Sequence, residues 1–279
     1  MISTNSREQD VGPALFVWRL LGGDGTQEIM VKVSVSCVII KKVHLKEDEI
    51  MVGAVVLAGG QGKRMNAGMN KQYLLIDGRS VLSYAIESMA CGADEIIVVA
   101  ANGEEAAAET AIKESGVDRT RCKIVIGGKE RQDSVRHAME AMPDSWEKVM
   151  IHDGARPFVP KEVVNRLLEA VQPGVGAIPG LPVTDTVKRV DEEGFILATP
   201  PRHMLRAAQT PQCFWAEEIK VLHLAVEKEN LVFTDDAALY EYGGKRVRMV
   251  DGAIMTKKLT IQDDLMWVEQ MKKVWEDQK

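Results

Sequence analysis

Residues 59 to 73 bring together glycines, cations and a turn, the ingredients of a phosphate site. Gly59-Gly60-Gln61-Gly62-Lys63-Arg64-Met65 is followed closely by Asn70-Lys71-Gln72-Tyr73. Glycines let backbone N–H groups approach an anion, while Arg64 and Lys71 supply charge. Neither of two common phosphate loops fits. A dinucleotide fingerprint begun at Gly60 needs glycine where the chain has Met65. A Walker-type loop ending at Gly62-Lys63 needs Ser or Thr in place of Arg64 and glycine in place of Leu57. What remains is a nucleotide or phosphate loop of another kind, or else a tight strand-to-helix turn with a solvated basic face.

Further along the chain lies Ile151-His152-Asp153-Gly154-Ala155-Arg156-Pro157. A carboxylate at a strand end facing a phosphate loop suits Mg²⁺ bridging phosphate oxygens, which makes Asp153 the metal candidate. A turn aspartate before Pro157 would look the same, and Arg156 is placed to pair with Asp153 or orient it. His152 reads as a packed histidine, because attack by a phosphate needs no proton removed. Gly127-Gly128-Lys129-Glu130-Arg131-Gln132-Asp133-Ser134 is a second glycine turn opening a helix. Its free N–H groups and the Ser134 hydroxyl suit a base edge or an anion, although Asp133 or Ser134 also reads as a helix cap. Gln209-Thr210-Pro211-Gln212 and Phe233-Thr234-Asp235-Asp236 each set a hydroxyl at an element boundary, which turns and caps also do.

The elements that must position these groups alternate. Short apolar runs at 51–58, 95–100, 123–126 and 148–151 read as buried strands. Between them lie helical stripes: Val81, Leu82, Ala85, Ile86, Met89; then Val135, Ala138, Met139, Met142; then Val163, Val164, Leu167, Leu168, Val171. Such alternation predicts an α/β fold, a largely parallel sheet covered on both faces, with ligands beyond the carboxyl ends of the strands. Both the 59–64 loop and the 152–156 segment fall at such ends. Residues 181 to 206 break the rhythm with Pro182, Gly194, Pro200 and Pro201. Two short strands, 186–190 and 195–198, turning at 191–194, predict a hairpin arm too small to stand alone, and a second subunit is a natural support for it. Regular α/β is expected to resume after Gln209 and to finish with a helix from Ile261 that Asp263 and Asp264 favour.

The 279 residues suffice for one large or two small α/β domains, and the net charge of −6 argues against broad nucleic-acid binding. Cys37, Cys91, Cys122 and Cys213 are scattered without metal-finger spacing, as expected of reduced thiols in a cytoplasmic protein. No apolar run reaches the length of a membrane span. Residues 1 to 50 differ from the rest and lack the pattern of a secretory signal. They read as an extension, with 31–40 strand-like, ahead of a working domain at 51–279; a small hairpin packed on the domain is the other reading.

Taken in order, 57–65, Lys71-Gln72-Tyr73, Gly127 to Ser134, His152 to Pro157, 182–188, Gln209 to Gln212, 234–238 and Lys258-Leu259-Thr260 closely resemble the 2-C-methyl-D-erythritol 4-phosphate cytidylyltransferases. The resemblance runs from about Val52 to the C-terminal helix. It implies a Rossmann-like three-layer nucleotidyltransferase sheet with a protruding β-arm at about 181–206 that makes a homodimer. It implies cytidylyl transfer from CTP to a sugar-alcohol phosphate, with Mg²⁺ on Asp153. By the same resemblance Arg64 and Lys71 are catalytic. Ala58, Gly59, Gly60, Gly62, Gly128, Lys129, Arg131 and Ser134 hold the nucleotide, and Asp185, Thr186, Arg202, Thr210 and Lys258 surround the acceptor. The chain departs from the family at Leu57-Ala58-Gly59-Gly60, a form shared with ribitol 5-phosphate cytidylyltransferases, at Lys129, and at Thr256-Lys257 before Lys258. Ribitol 5-phosphate is thus the alternative acceptor. A catalytically silent nucleotide-binding protein is expected to lack Arg64, Lys71 or Asp153, and all three are present.

Overall fold

The computed structural model describes residues 16–21, 27–33, 36–43, 50–59, 70–227, 231–260 and 264–277. The chain divides into two compact units, Met1–Glu49 and Ile50–Lys279. The first holds β1 (Phe16–Leu21), β2 (Gln27–Val33) and β3 (Ser36–Val43), an antiparallel sheet with β2 central. The strand-like run at 31–40 therefore spans parts of β2 and β3.

The second unit opens with β4 (Val52–Ala58), whose side chains are nearly all buried, as an apolar run in a sheet covered on both faces requires. A small hairpin, β5 (Leu75–Ile76) and β6 (Arg79–Ser80), turns at Asp77 and Gly78, both at positive φ, the conformation that favours glycine and tolerates aspartate. Ser80 then caps α1 (Val81–Ala90), accepting the Ser83 N–H. There follow β7 (Glu95–Ala100), α2 (Glu105–Ser115), β8 (Cys122–Ile126), α3 (Arg131–Ala141), β9 (Lys148–Asp153), α4 (Lys161–Ala170) and β10 (Val175–Pro182). After β10 come the short β11 (Arg189–Val190), β12 (Ile196–Ala198) and β13 (Arg206–Ala208), then β14 (Gln212–Trp215), α5 (Ala216–Val226), α6 (Asp236–Tyr242), β15 (Arg246–Asp251) and α7 (Asp264–Glu276).

Across the main sheet the order is β15-β10-β14-β9-β4-β7-β8, and β13 extends β14 along the same edge of β10. Every pairing is parallel except those made by β13 and β14. Strands and helices resume after Gln209 as expected, with β14 antiparallel among them. The chain returns from the arm into the sheet without a crossover helix, and a strand that returns directly runs antiparallel. Leu82, Ile86 and Met89 of α1, Ala111 and Ile112 of α2, and Val163 and Leu167 of α4 pack on one face of the sheet. Val135 and Met139 of α3, Ile219 of α5, and Leu239 and Tyr240 of α6 cover the other. The result is three layers, as the helical stripes predict. Each fully buried aliphatic or aromatic side chain contributes about 1.5–3 kcal/mol.

The arm pairs Arg189 with Ala198 and Val190 with Ile196, a shorter ladder than the runs 186–190 and 195–198 suggest. Gly194 at positive φ closes its turn, and Asp191 Oδ1 accepts the Phe195 N–H at 2.8 Å. Phe195, Ile196 and Leu197 are exposed on it.

Candidate active site

Sheet register brings the chemistry to one edge. Leu57 pairs with Asp153, Ala58 with Ala100, and Ala100 with Ile126, so β4, β9, β7 and β8 all end level. Gly59, Gly127-Gly128 and Gly154 continue from those ends. A Cβ on Gly128 would lie 2.2 Å from the Asp133 Cβ, so the turn into α3 closes this tightly only with glycine there. The Ser134 hydroxyl accepts the Gly128 N–H at 3.1 Å and donates to the Glu130 carbonyl at 3.1 Å. It therefore shapes the loop, while Lys129 stands exposed at the tip.

Asp153 is the electrostatic centre. Lys258 Nζ donates to its Oδ2 at 2.8 Å, Arg131 Nε to its Oδ1 at 3.4 Å, and Arg156 Nε lies 3.6 Å from Oδ2. Burial opposes ionisation, but Arg131, Lys258 and Arg156 overcome it and hold the Asp153 carboxyl far below the usual range. Three cations on one carboxylate leave the cluster net positive, which suits an arriving polyanion. Its neighbour Lys257 points elsewhere, pairing with Asp264 at 2.7 Å beside the Trp267 ring, so the departure at Thr256-Lys257 leaves Lys258 on Asp153.

Behind Asp153 lies a chain of directed hydrogen bonds. The Asp153 N–H donates to Thr210 Oγ1 at 3.1 Å, Thr210 Oγ1 donates to His152 Nδ1 at 3.0 Å, and His152 Nε2 donates to the Arg156 carbonyl at 2.9 Å. With Nδ1 accepting and Nε2 donating the ring is neutral, the form that burial favours by lowering its pKa to about 4. His152 is a packed histidine. Thr210, read from the resemblance as an acceptor contact, is buried and committed to this chain.

Lys71 opens a 3-10 turn, Lys71–Tyr73, anchored to the sheet edge because Gln72 is buried and its amide donates to the Ala58 carbonyl. The Asn70 amide donates to Glu104 after β7. Gly60, Gly62 and Arg64 lie outside the described residues. Asp185 and Thr186 are exposed at the base of the arm. Arg202, exposed in a 3-10 turn, donates to the Thr184 carbonyl at 2.5 Å. The structure thus gathers Ala58, Gly59, Gly128, Arg131, Ser134, Asp153, Thr210 and Lys258 around the sheet edge, and sets Asp185, Thr186 and Arg202 on the arm segment.

Sequence reasoning missed Asp236 and His223. Arg131 Nη2 donates to Asp236 Oδ2 at 2.7 Å, and His223 Nε2 donates to Asp236 Oδ1 at 3.0 Å. Burial raises the Asp236 pKa, yet Arg131 and His223 prevail and hold it at about 2. The signal was the adjacent pair Asp235-Asp236 at a helix start. Only Asp235 caps, accepting the Ala238 N–H, which leaves Asp236 for another task.

Among the described residues no group of three or more His, Cys, Asp or Glu could cage a metal ion. Mg²⁺ needs only one or two carboxylates when phosphates supply the rest, so the single Asp153 fits a nucleotide-bridging ion and not a protein-enclosed one.

A mostly parallel three-layer sheet with glycine turns and a cation-ringed carboxylate at its carboxyl edge defines a nucleotidyltransferase. Residues 52–273 match the family model for 2-C-methyl-D-erythritol 4-phosphate cytidylyltransferase. Proteins of that name from Caldanaerobacter subterraneus and Alkaliphilus metalliredigens are 40% and 38% identical over 220 and 218 residues; these alignments cover 78% and 77% of this chain and 97% and 90% of theirs. The crystal structure of the Thermus thermophilus cytidylyltransferase superposes with TM-score 0.65 at 29% identity, covering 80% of this chain and all of that one. The 4-diphosphocytidyl-2C-methyl-D-erythritol synthase from Anaerococcus prevotii gives 0.70 at 25%, covering 80% and 96%. The chain belongs to the 2-C-methyl-D-erythritol 4-phosphate cytidylyltransferase family. No described helix is long and apolar enough to cross a membrane.

Proposed function

We propose that this enzyme transfers a cytidylyl group from CTP to 2-C-methyl-D-erythritol 4-phosphate, giving 4-diphosphocytidyl-2-C-methyl-D-erythritol and diphosphate for non-mevalonate isoprenoid precursor synthesis. Family membership names the reaction, and the cation-ringed Asp153 at the carboxyl edge of the sheet is the observation that carries the mechanism. An acceptor phosphate oxygen bonds to the α-phosphorus of CTP, and the bond from that phosphorus to the bridging oxygen of diphosphate breaks. The attacking phosphate is already anionic, so no base is needed, in keeping with the sealed, neutral His152. What the reaction needs is positioning and charge neutralisation.

Lys71, with Arg64 beside it in sequence, neutralises charge building on the α-phosphate. The turn at 127–128 offers backbone N–H groups to the base, with Lys129, Arg131 and Ser134 around it, and the glycine-rich sequence at 59–62 is assigned to the phosphates. Asp153 would hold Mg²⁺, whose positive charge would offset that of the phosphates. Lys258 and Arg202 take the acceptor phosphate, with Asp185 and Thr186 about the polyol and Thr210 behind Asp153. The arm pairs two copies into a homodimer, and the enzyme works in the cytoplasm.

Diphosphate release tests the reading. With CTP and Mg²⁺, methylerythritol phosphate should be used far better than ribitol 5-phosphate; the reverse preference would assign the other acceptor. Lys71→Ala should lower kcat about a hundredfold or more with CTP binding only modestly weakened. An unchanged kcat would remove Lys71 from the chemistry.

A further inference from the structure

Four side chains from separate elements form one line, buried except at the half-buried Arg131: His223 of α5, Asp236 opening α6, Arg131 opening α3, and Asp153 ending β9. Arg131 is bonded unequally at its two ends. Its contact to Asp153, at the reaction centre, is long at 3.4 Å. Its contact to Asp236, away from that centre, is short at 2.7 Å. A buried carboxylate is costly unless paired, and Asp236, only 2% exposed, is paired on both oxygens. Holding it has a visible cost, because His223 is buried with Nδ1 unpartnered among the described residues while Nε2 serves Asp236.

We propose that Asp236, braced by His223, is a positioning residue that holds Arg131 in the nucleotide pocket while Asp153 changes partners. In the free enzyme Arg131 spans both carboxylates. When nucleotide and cation engage Asp153, the long Nε contact is the one given up. The short Nη2 contact remains, so Arg131 stays at the mouth of the 127–128 turn and its freed Nε faces the ligand. Neither Asp236 nor His223 touches substrate; both act through Arg131. The Thr234-Asp235-Asp236 motif acquires a divided purpose, Asp235 fixing the helix start and Asp236 reaching across to α3. The proposal rests on the functional reading above, in which Arg131 contacts the nucleotide.

A double-mutant cycle tests it, with steady-state kinetics on the full chain and thermal melts alongside. Arg131→Met and Asp236→Asn should each raise KM for CTP about tenfold, with kcat changed less. In the Arg131→Met background, Asp236→Asn should add less than a further twofold. His223→Phe should show a smaller rise of the same kind, lost in the same background, and His223→Gln, which can still donate to Asp236, should recover most of it. If Asp236→Asn does not fold, the His223→Phe and Arg131→Met pair decides by the same criterion. Additive effects in both cycles, or losses that follow melting temperature and leave KM alone, would overturn the positioning role. A normal KM for CTP in Arg131→Met would instead overturn the functional reading of Arg131, and the proposal with it.

Discussion

A histidine next to the central carboxylate of a phosphate site invites a role as proton acceptor, but the surroundings of His152 assign it a structural one. Both ring nitrogens are bonded within the fold, and burial lowers its pKa to about 4. The unfolded chain's histidine titrates near 6.5, so between that pH and about 4 the unfolded state takes a proton that the folded state refuses. Stability should be complete above pH 6.5 and should fall by about 3 kcal/mol as the pH drops to 4. The Asp153 and Asp236 pKa values are lowered too, but for a carboxylate a lowered value stabilises the fold, so their contribution is retained through this window and lost only as pH falls below the ordinary carboxylate range. Urea midpoints measured from pH 7 to 4 would show the loss. A His152 ring resonance titrating near 6.5 would contradict a sealed neutral ring. The place of Asp153 at a strand end was legible because a carboxylate closing an apolar run is a local pattern. The partners of Arg131 were not, since Asp153 and Asp236 reach it from other elements.

At the scale of elements, the sequence is explicit where burial forces a pattern. Continuous apolar runs became β4, β7, β8 and β9, and stripes three and four residues apart became the inner faces of α1, α3 and α4. Direction is another matter. Gln212-Cys213-Phe214-Trp215 reads the same whichever way it runs, and only the path back from the arm makes β14 antiparallel. The same strand explains why two unremarkable turn motifs belong together. Gln212 Nε2 donates to Asp235 Oδ2 at 2.9 Å, and its Oε1 accepts the Ala237 N–H at 3.0 Å. Thr210, two residues earlier, holds Asp153. The 209–212 and 234–238 motifs are thus two halves of a bracket that ties the start of α6 to β14 and, through Thr210, β14 to the end of β9. Asp235→Ala removes the cap and one half of that bracket. It should cost about 1–2 kcal/mol in urea unfolding and lower kcat/KM for CTP, because Asp236 sits on the same first turn. Full activity despite the stability loss would uncouple the bracket from the site.

The arm poses its question at the scale of the whole molecule. It has only a two-stranded ladder, and Phe195, Ile196 and Leu197 stand 67%, 62% and 56% exposed along it. A hairpin this small does not order itself by its own contacts, and an apolar surface of this kind is a place for another copy to bind. Arg202 follows the hairpin on a Pro200-Pro201 stem and is steadied by the Thr184 carbonyl, whereas Lys258 belongs to the sheet edge and sits on Asp153. If the arm of one subunit supplies Arg202 to the site of the other, chains carrying Arg202→Ala and chains carrying Lys258→Ala should complement each other. Random exchange makes about half of all dimers mixed, and in each mixed dimer one site of the two has both cations. Mixing two nearly inactive proteins should therefore restore about a quarter of wild-type activity, rising with the mixed fraction measured by mass spectrometry. The two cations belong to one chain if activity stays at the level of the separate mutants while mixed dimers are plainly present.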